Sequence, residues 1–188
     1  ALVLSKPDDT TPYHSIDHST IEHEVNRFQR AVTSVKKDLK NIKINLPASA
    51  PPETSAFIDV HLLMLKDPLI SKKPIESIRG ENFNAEWALK SHAETLIDFF
   101  RSIDDPYLRT KKEDVKQVVN KILKALSNEA TPGNSGEQNF NSFLSSTIIV
   151  AHDLSPADMI MLRNRNMCAF ISNLGGPISH TAILARSL

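Results

Sequence analysis

Apolar residues stand at Ile21, Val25, Phe28, Val32, Val35, Leu39 and Ile42, and most positions between them are polar. Steps of three and four residues put these side chains on one face of a helix, so residues 21–46 are predicted as a long amphipathic helix. Ser19 or Thr20 is placed to cap it, and Pro47 with the following run PASAPP ends it. Pro51 and Pro52 suit the first turn of a second helix, with Glu53 favoured there by the helix dipole. Ala56, Phe57, Val60, Leu63, Met64 and Leu65 carry it to Asp67-Pro68. A shorter helical piece covers about residues 68–79 and closes at Gly80. Asn84 is placed to cap a fourth helix, whose apolar side holds Trp87, Ala88, Leu96, Phe99 and Phe100. A fifth follows Asp105-Pro106 and runs to about Leu126 through Val115, Val118, Val119, Ile122 and Leu123. Short connections between these helices predict antiparallel neighbours in a bundle.

The pattern changes on either side of the helices. Residues 1–5, ALVLS, read as a short strand. Residues 127–146 are rich in Ser, Asn and Gly and read as a linker. Thr147-Ile148-Ile149-Val150-Ala151 is a short, mainly apolar and β-branched run, suited to a buried strand. Ser155-Pro156-Ala157-Asp158 opens a helix, residues 167–172 form a second buried strand, Gly175-Gly176 breaks it, and Thr181 onward is helical. Alternating strand and helix is an α/β pattern. The fold class is therefore an α/β subdomain, residues 1–16 and 128–188, with an all-α helical bundle, residues 17–127, inserted into it. The first strand is expected to join the sheet formed after residue 146. The chain starts inside a strand and stops inside a helix, so it is expected to be a segment of a longer protein, with the α/β subdomain incomplete at its C-terminal end.

Composition narrows the function classes. Lys plus Arg and Asp plus Glu number 22 each, so the net charge is zero, which argues against a nucleic-acid binder. No stretch approaches the roughly 20 apolar residues of a membrane span. The single cysteine, Cys168, cannot form an internal disulfide, and a cytoplasmic location is the expectation. Cys168 opens the second strand and is expected to be a small core residue, with a reactive thiol as the alternative. His14, His18 and His23 lie near Asp9 and Asp17, but their spacings match no metal template, so no metal site is assigned. Trp87, Phe99 and Phe100 are expected in the bundle core.

The segment that carries chemistry is GGPISHTAILARSL, residues 175–188. Two glycines let the backbone turn sharply after the strand, and His180 falls at the start of the next helix. Backbone N–H groups there lack intrahelical partners, and the dipole end is positive, so an anion is welcome. Ser179 and Thr181 add hydroxyls on either side of His180. Histidine titrates near pH 6.5 as a residue type, about where a neutral nitrogen nucleophile is available in a cell. Phosphoryl transfer needs mainly positioning and charge stabilisation, which these parts can supply. The same arrangement also suits a histidine that only hydrogen-bonds nearby backbone.

This run resembles the phosphohistidine signature of Enzyme I, the phosphoenolpyruvate-protein phosphotransferase of the bacterial sugar phosphotransferase system. Asp153-Leu154-Ser155-Pro156-Ala157-Asp158, the stretch His61-Leu62-Leu63-Met64-Leu65-Lys66-Asp67-Pro68 and Asp104-Asp105-Pro106-Tyr107-Leu108-Arg109 resemble further landmarks of that family, in the same order. The resemblance implies that the α/β subdomain is a phosphohistidine domain. His180 would take phosphate through Nε2 from phosphoenolpyruvate and pass it to the carrier protein HPr. The helical subdomain would dock HPr, with Glu53, Met64 and Asp67 as candidate contacts, although a solvated face fits either acid alone. Gly176, Ser179, Thr181, Lys111 and Lys116 would stabilise the phosphate, and for each lysine a solvated helix face is the alternative. His61 would make a structural hydrogen bond or sit at the domain interface. Phosphoenolpyruvate and Mg²⁺ would bind a C-terminal barrel absent from this segment, which also forms a homodimer; the segment itself would be monomeric and hold no cofactor. Pro177 and Ile178 replace the Arg and Thr common in the family, and Met159 replaces a threonine that contacts the histidine in some members, while Lys111 and Lys116 stand where arginine is frequent. Two further readings stay open: a regulatory nitrogen-type phosphorelay paralogue, and a non-catalytic helical interaction module.

Overall fold

The structure is a computed structural model that describes residues 2–4, 13–46, 48, 50, 52–130, 147–151, 154, 158–159, 162, 167–173 and 180–187. Its elements are strand β1 (Leu2–Leu4), helices α1 (Ile21–Ile44), α2 (Pro52–Met64), α3 (Pro68–Ser71), α4 (Lys73–Glu81), α5 (Ala85–Ser102) and α6 (Pro106–Ala130), strands β2 (Thr147–Ala151) and β3 (Met167–Ser172), and helix α7 (His180–Ser187). The fold class expected from the sequence is borne out: a helical bundle accompanies a small parallel sheet. By their contacts the residues form two compact units. One comprises Ala1–Pro7, Leu39–Asp59 and Gly133–Leu188, and the other Asp8–Asp38 and Val60–Pro132. This line differs from the sequence boundaries mainly at residues 39–59, which group with the strands, and at 8–16, which group with the helices.

In the helical unit, α1 buries Val25, Phe28, Ala31 and Val35, the face its three-and-four spacing predicts. Ile78 of α4, Ala88, Leu89 and Ala93 of α5, and Val115, Val118, Ile122 and Leu126 of α6 are also buried, and α5 packs along both α4 and α6. The alanines and Leu89 of α5, not its aromatics, are in the core. Phe99 is 59% exposed, and Trp87 and Phe100 are only partly buried. Trp87 instead meets Tyr13 edge-on at 5.6 Å, and Tyr13 meets Phe83 in the same way. The segment before α1 crosses to the α4–α5 turn, where Ser15 pairs with Phe83 and the Ile16 N–H donates to Asn82 O at 2.9 Å.

Helix starts and stops follow local chemistry in part. Asp105 accepts from the N–H groups of Tyr107 (2.7 Å) and Leu108 (3.0 Å), and Asp67 accepts from Leu69 N–H (2.8 Å), so both Asp-Pro pairs begin helices. Three expectations change. Thr20 donates its hydroxyl to Asp17 O (2.8 Å) and so closes a short 3-10 turn, His18–Thr20, instead of capping α1. Gly80 lies inside α4, and the stop is Asn82, held in the left-handed region at φ 55°. Asn84 precedes α5 but makes no side-chain cap: its Oδ1 accepts from His14 N–H and its Nδ2 donates to Glu86. The Ala85 N–H donates to Glu24 Oε1 at 2.7 Å.

Glu24 belongs to a partly buried ionic cluster. Arg27 makes two-pronged contacts with Glu24 (2.9 and 2.7 Å) and Glu86 (2.8 and 2.6 Å) and donates to Leu126 O at 3.3 Å. One guanidinium thus ties α1 to α5 and α6. Burial would raise the Glu24 pKa, but the hydrogen bonds from Arg27 and Ala85 outweigh it and hold the carboxyl below its ordinary value.

In the other unit the sheet has strand order β1-β2-β3, all parallel, with Val3 opposite Val150 and Val150 opposite Ile171. The first strand joins the later ones, as expected. Ile149 and Ala151 of β2 are buried. β3 departs from its expected burial. Among the described residues it pairs on one side only, and Cys168, Ala169 and Ile171 are exposed. An apolar run shows that a strand can be covered on both faces; what covers it is decided by distant chain.

Candidate functional site

β2 and β3 run in the same direction with Ala151 opposite Ser172, so both end at one edge of the sheet. The segments leaving that edge hold the residues singled out by sequence. Residues 173–179 lead from β3 to α7, and His180 is the first residue of that helix. In open parallel sheets the carboxyl edge is where ligands bind, because successive loops and helix starts converge there. The start of α7 adds a positive dipole end. Gly176, Pro177, Ile178 and Ser179 lie outside the described residues.

Thr181 is described, and its hydroxyl is committed. Oγ1 donates to the backbone carbonyl of Leu154 at 2.5 Å, across 27 residues of sequence. Leu154 follows β2, so the bond joins the segment after β2 to the helix after β3. Leu154, Met159 and Leu162 are all buried. Residues 155–157 of the expected helix start lie outside the described residues, while Asp158, Met159 and Leu162 are helical. Sequence reasoning did not find Leu154 as a partner, because no local spacing pairs a threonine with a carbonyl 27 residues earlier.

Lys111 and Lys116 are on α6 in the helical unit. Lys111 Nζ lies 3.1 Å from Asp114 and 4.9 Å above the Tyr107 ring. Burial would lower its pKa, but Asp114 outweighs that and raises it, so the ammonium is held charged. Lys116 pairs with Glu113 at 2.9 Å. Glu53 is exposed in the first turn of α2, and Met64 is the last residue of that helix, about 17 Å away along its axis. Asp67 is half-buried, with one oxygen occupied by its capping bond. Beside Met64, Leu63 is 66% exposed, and Tyr107 and Leu108 in the Asp104-to-Arg109 landmark are exposed as well. His61 is fully buried in the helical unit.

His14, His18 and His23 are exposed. Among the described residues no three or more His, Cys, Asp or Glu side chains form a group able to hold a metal ion. Among them, too, no helix is long and apolar enough to cross a membrane.

Comparison with known proteins places these features in a family. Residues 1–111 match the pattern of the PEP-utilising enzyme, N-terminal family, and residues 143–188 match the PEP-utilising enzyme, mobile domain. A phosphoenolpyruvate-protein phosphotransferase of Cupriavidus necator is 39% identical over 182 residues, covering 94% of this chain and 30% of that protein. Its Bacillus subtilis namesake is 32% identical over 188 residues, covering all of this chain and 32% of that protein. The chain thus spans about a third of the length of these relatives. A solution structure of an Enzyme I protein superposes with a TM-score of 0.74 at 25% identity, covering all of this chain and 73% of that one. The N-terminal domain of a nitrogen-type Enzyme 1 has the same fold, with a TM-score of 0.72 at 20% identity over 99% of this chain and 73% of that one. The resemblance to Enzyme I read from the motifs is borne out, and the chain belongs to the PEP-utilising enzyme family, with that family's N-terminal and mobile-domain regions.

Proposed function

We propose that His180 is a phosphate carrier that receives a phosphoryl group originating in phosphoenolpyruvate and passes it to a histidine of an HPr-like carrier protein. The observation that carries this reading is the place of His180: first residue of α7, at the carboxyl edge of a parallel sheet, inside the region that matches the mobile domain. In the first step the Nε2 lone pair of neutral His180 attacks phosphorus, a P–N bond forms, and the P–O bond to the enolate of pyruvate breaks. The enolate then takes up a proton. In the second step a carrier nitrogen displaces His180 at phosphorus, and His180 is regenerated. The positive end of α7 favours the anionic phosphoryl group in both steps.

In this reading the carrier docks on acidic and apolar groups near the end of α2, where Asp67, Met64 and exposed Leu63 stand close in sequence, with Glu53 at the other end of that helix. Charged groups there set the rate of encounter more than the affinity. In this reading phosphoenolpyruvate and Mg²⁺ would be held by another part of the full-length protein. A cytoplasmic location and a dimer formed elsewhere in the protein complete the reading.

The test is phosphate exchange. The protein is incubated with phospho-HPr labelled in its phosphate, and acid-labile label is mapped. Label is expected on His180, with none in the His180→Ala variant, which should still bind HPr. Absence of label, or label on another histidine, overturns the reading.

A further inference from the structure

We infer that Thr181 is a positioning residue for His180, acting through its hydroxyl tie to Leu154, and is not a donor to the phosphate. The inference rests on the reading of His180 as the phosphate carrier. A hydroxyl has one proton to donate. In Thr181 that proton goes to Leu154 O, and only lone pairs remain on Oγ1. Lone pairs repel a phosphoryl oxygen, so Thr181 cannot serve the phosphate without first breaking the tie.

The tie has a clear mechanical consequence. Helix α7, like most helices in proteins, draws its stability mainly from tertiary packing and not from intrinsic propensity. Its first turn therefore needs tertiary anchors to hold one direction. The backbone ladder fixes β2 to β3 up to Ala151 and Ser172. Beyond that edge two separate chain segments continue, and the Thr181–Leu154 bond closes them into one ring. The anchor end is firm, because Leu154 is buried, as are Met159 and Leu162 further along the same segment. The moving end is stiff, because a β-branched threonine has restricted χ1 freedom and its own hydroxyl is held. His180 is the residue bonded directly to this anchor, so the tie fixes the backbone from which the reacting imidazole is hung.

Three variants test this. Thr181→Val removes the hydroxyl and keeps the shape, Thr181→Ala removes it without an apolar branch and serves should valine disturb folding, and Thr181→Ser keeps it. Exchange with phospho-HPr is measured for rate, for KM and for the equilibrium between phospho-HPr and phosphorylated protein, beside the unfolding midpoint and the NMR resonances of the His180 ring. In Thr181→Val the rate should fall about tenfold, short of the roughly hundredfold loss that a 1 Å misplacement causes, with KM and the equilibrium unchanged. The His180 ring resonances should shift or broaden, and Thr181→Ser should restore both readouts. A phosphate-donor role would move the equilibrium away from phosphohistidine together with the rate, and that result overturns the inference. So does a lowered unfolding midpoint with normal exchange in the folded protein, or no change at all. If the unmodified protein takes no phosphate at His180, the underlying reading fails on its own. The ring resonances then still decide the tie: altered in Thr181→Val and restored in Thr181→Ser, or unaffected and the tie rejected.

Discussion

The helical unit and the sheet unit reach order by different routes. In the helical unit each element carries its own instructions: a three-and-four apolar stripe and, at two starts, an Asp-Pro pair that caps the helix. Its interior closes on Val25, Phe28, Ile78, Leu89, Val118, Ile122 and Leu126, all buried. In the sheet unit the order comes from residues far apart. Val3 finds Val150, Val150 finds Ile171, and Thr181 finds Leu154. There an equally apolar strand, β3, keeps Cys168, Ala169 and Ile171 exposed. The proposed chemistry lies in the second unit. A phosphate carrier must be reached by its partners, and the carboxyl edge of a parallel sheet, where loops and helix starts converge, suits that better than a helix-bundle core.

The contrast can be broken first at its strongest point. Arg27→Met removes the guanidinium between two carboxylates and leaves both without it in the bundle, with an expected loss of about 3 kcal/mol. Trp87 is the sole tryptophan and lies in the helical unit, so its fluorescence during denaturant unfolding reports that unit alone. An unchanged midpoint would mean that the cluster contributes nothing to stability.

The next effect compares matched truncations. Ile122→Ala, at a fully buried position, should cost about 2–5 kcal/mol by the same fluorescence measurement. Ile171→Ala, 58% exposed on β3, should cost less than about 1 kcal/mol, read by hydrogen exchange of the β2 and β3 amides. Equal losses would erase the distinction between a closed core and an open strand.

Acid provides a third test. The Glu24 carboxyl is held below its ordinary value of 4.5, so the folded state binds its proton less readily than the unfolded state does. Its contribution is fully present above about pH 4.5 and disappears as pH falls through the folded value. The helical unit should therefore lose stability below that pH, and Glu24→Gln should flatten this part of the profile. A profile as steep in the variant as in the parent would reject the assignment. The smallest effect is at a cap: Asp105→Ala, which removes the acceptor for two N–H groups, should cost about 1 kcal/mol by the same unfolding measurement, against nothing measurable for loss of the exposed Lys116–Glu113 pair.

Much of this was legible in the chain. The range of α1, the Asp-Pro starts of α3 and α6, the two later strands and the helical start at His180 all come from features within a few residues of one another. Gly80 shows where such reading fails. Glycine favours a helix stop, but α4 continued to Glu81 and Asn82 took the left-handed turn, with its carbonyl receiving the Ile16 N–H. Asn84 shows it again: its side chain was drawn to His14 and Glu86, and the start of α5 took its acceptor from Glu24, 61 residues away.

By itself the sequence determined which segments are helix and strand, and that a histidine stands between a glycine turn and a helix. Period, proline and caps act over one or two turns, where chain connectivity already fixes the neighbours. Only the tertiary structure decided that Glu24 serves Ala85, that Arg27 joins three helices, that Cys168 is exposed and that the Thr181 hydroxyl is spent on Leu154. The exposure of Cys168 depends on what packs over β3, and each of the bonds depends on which distant group packing brings within roughly 3 Å, beyond which a hydrogen bond weakens steeply.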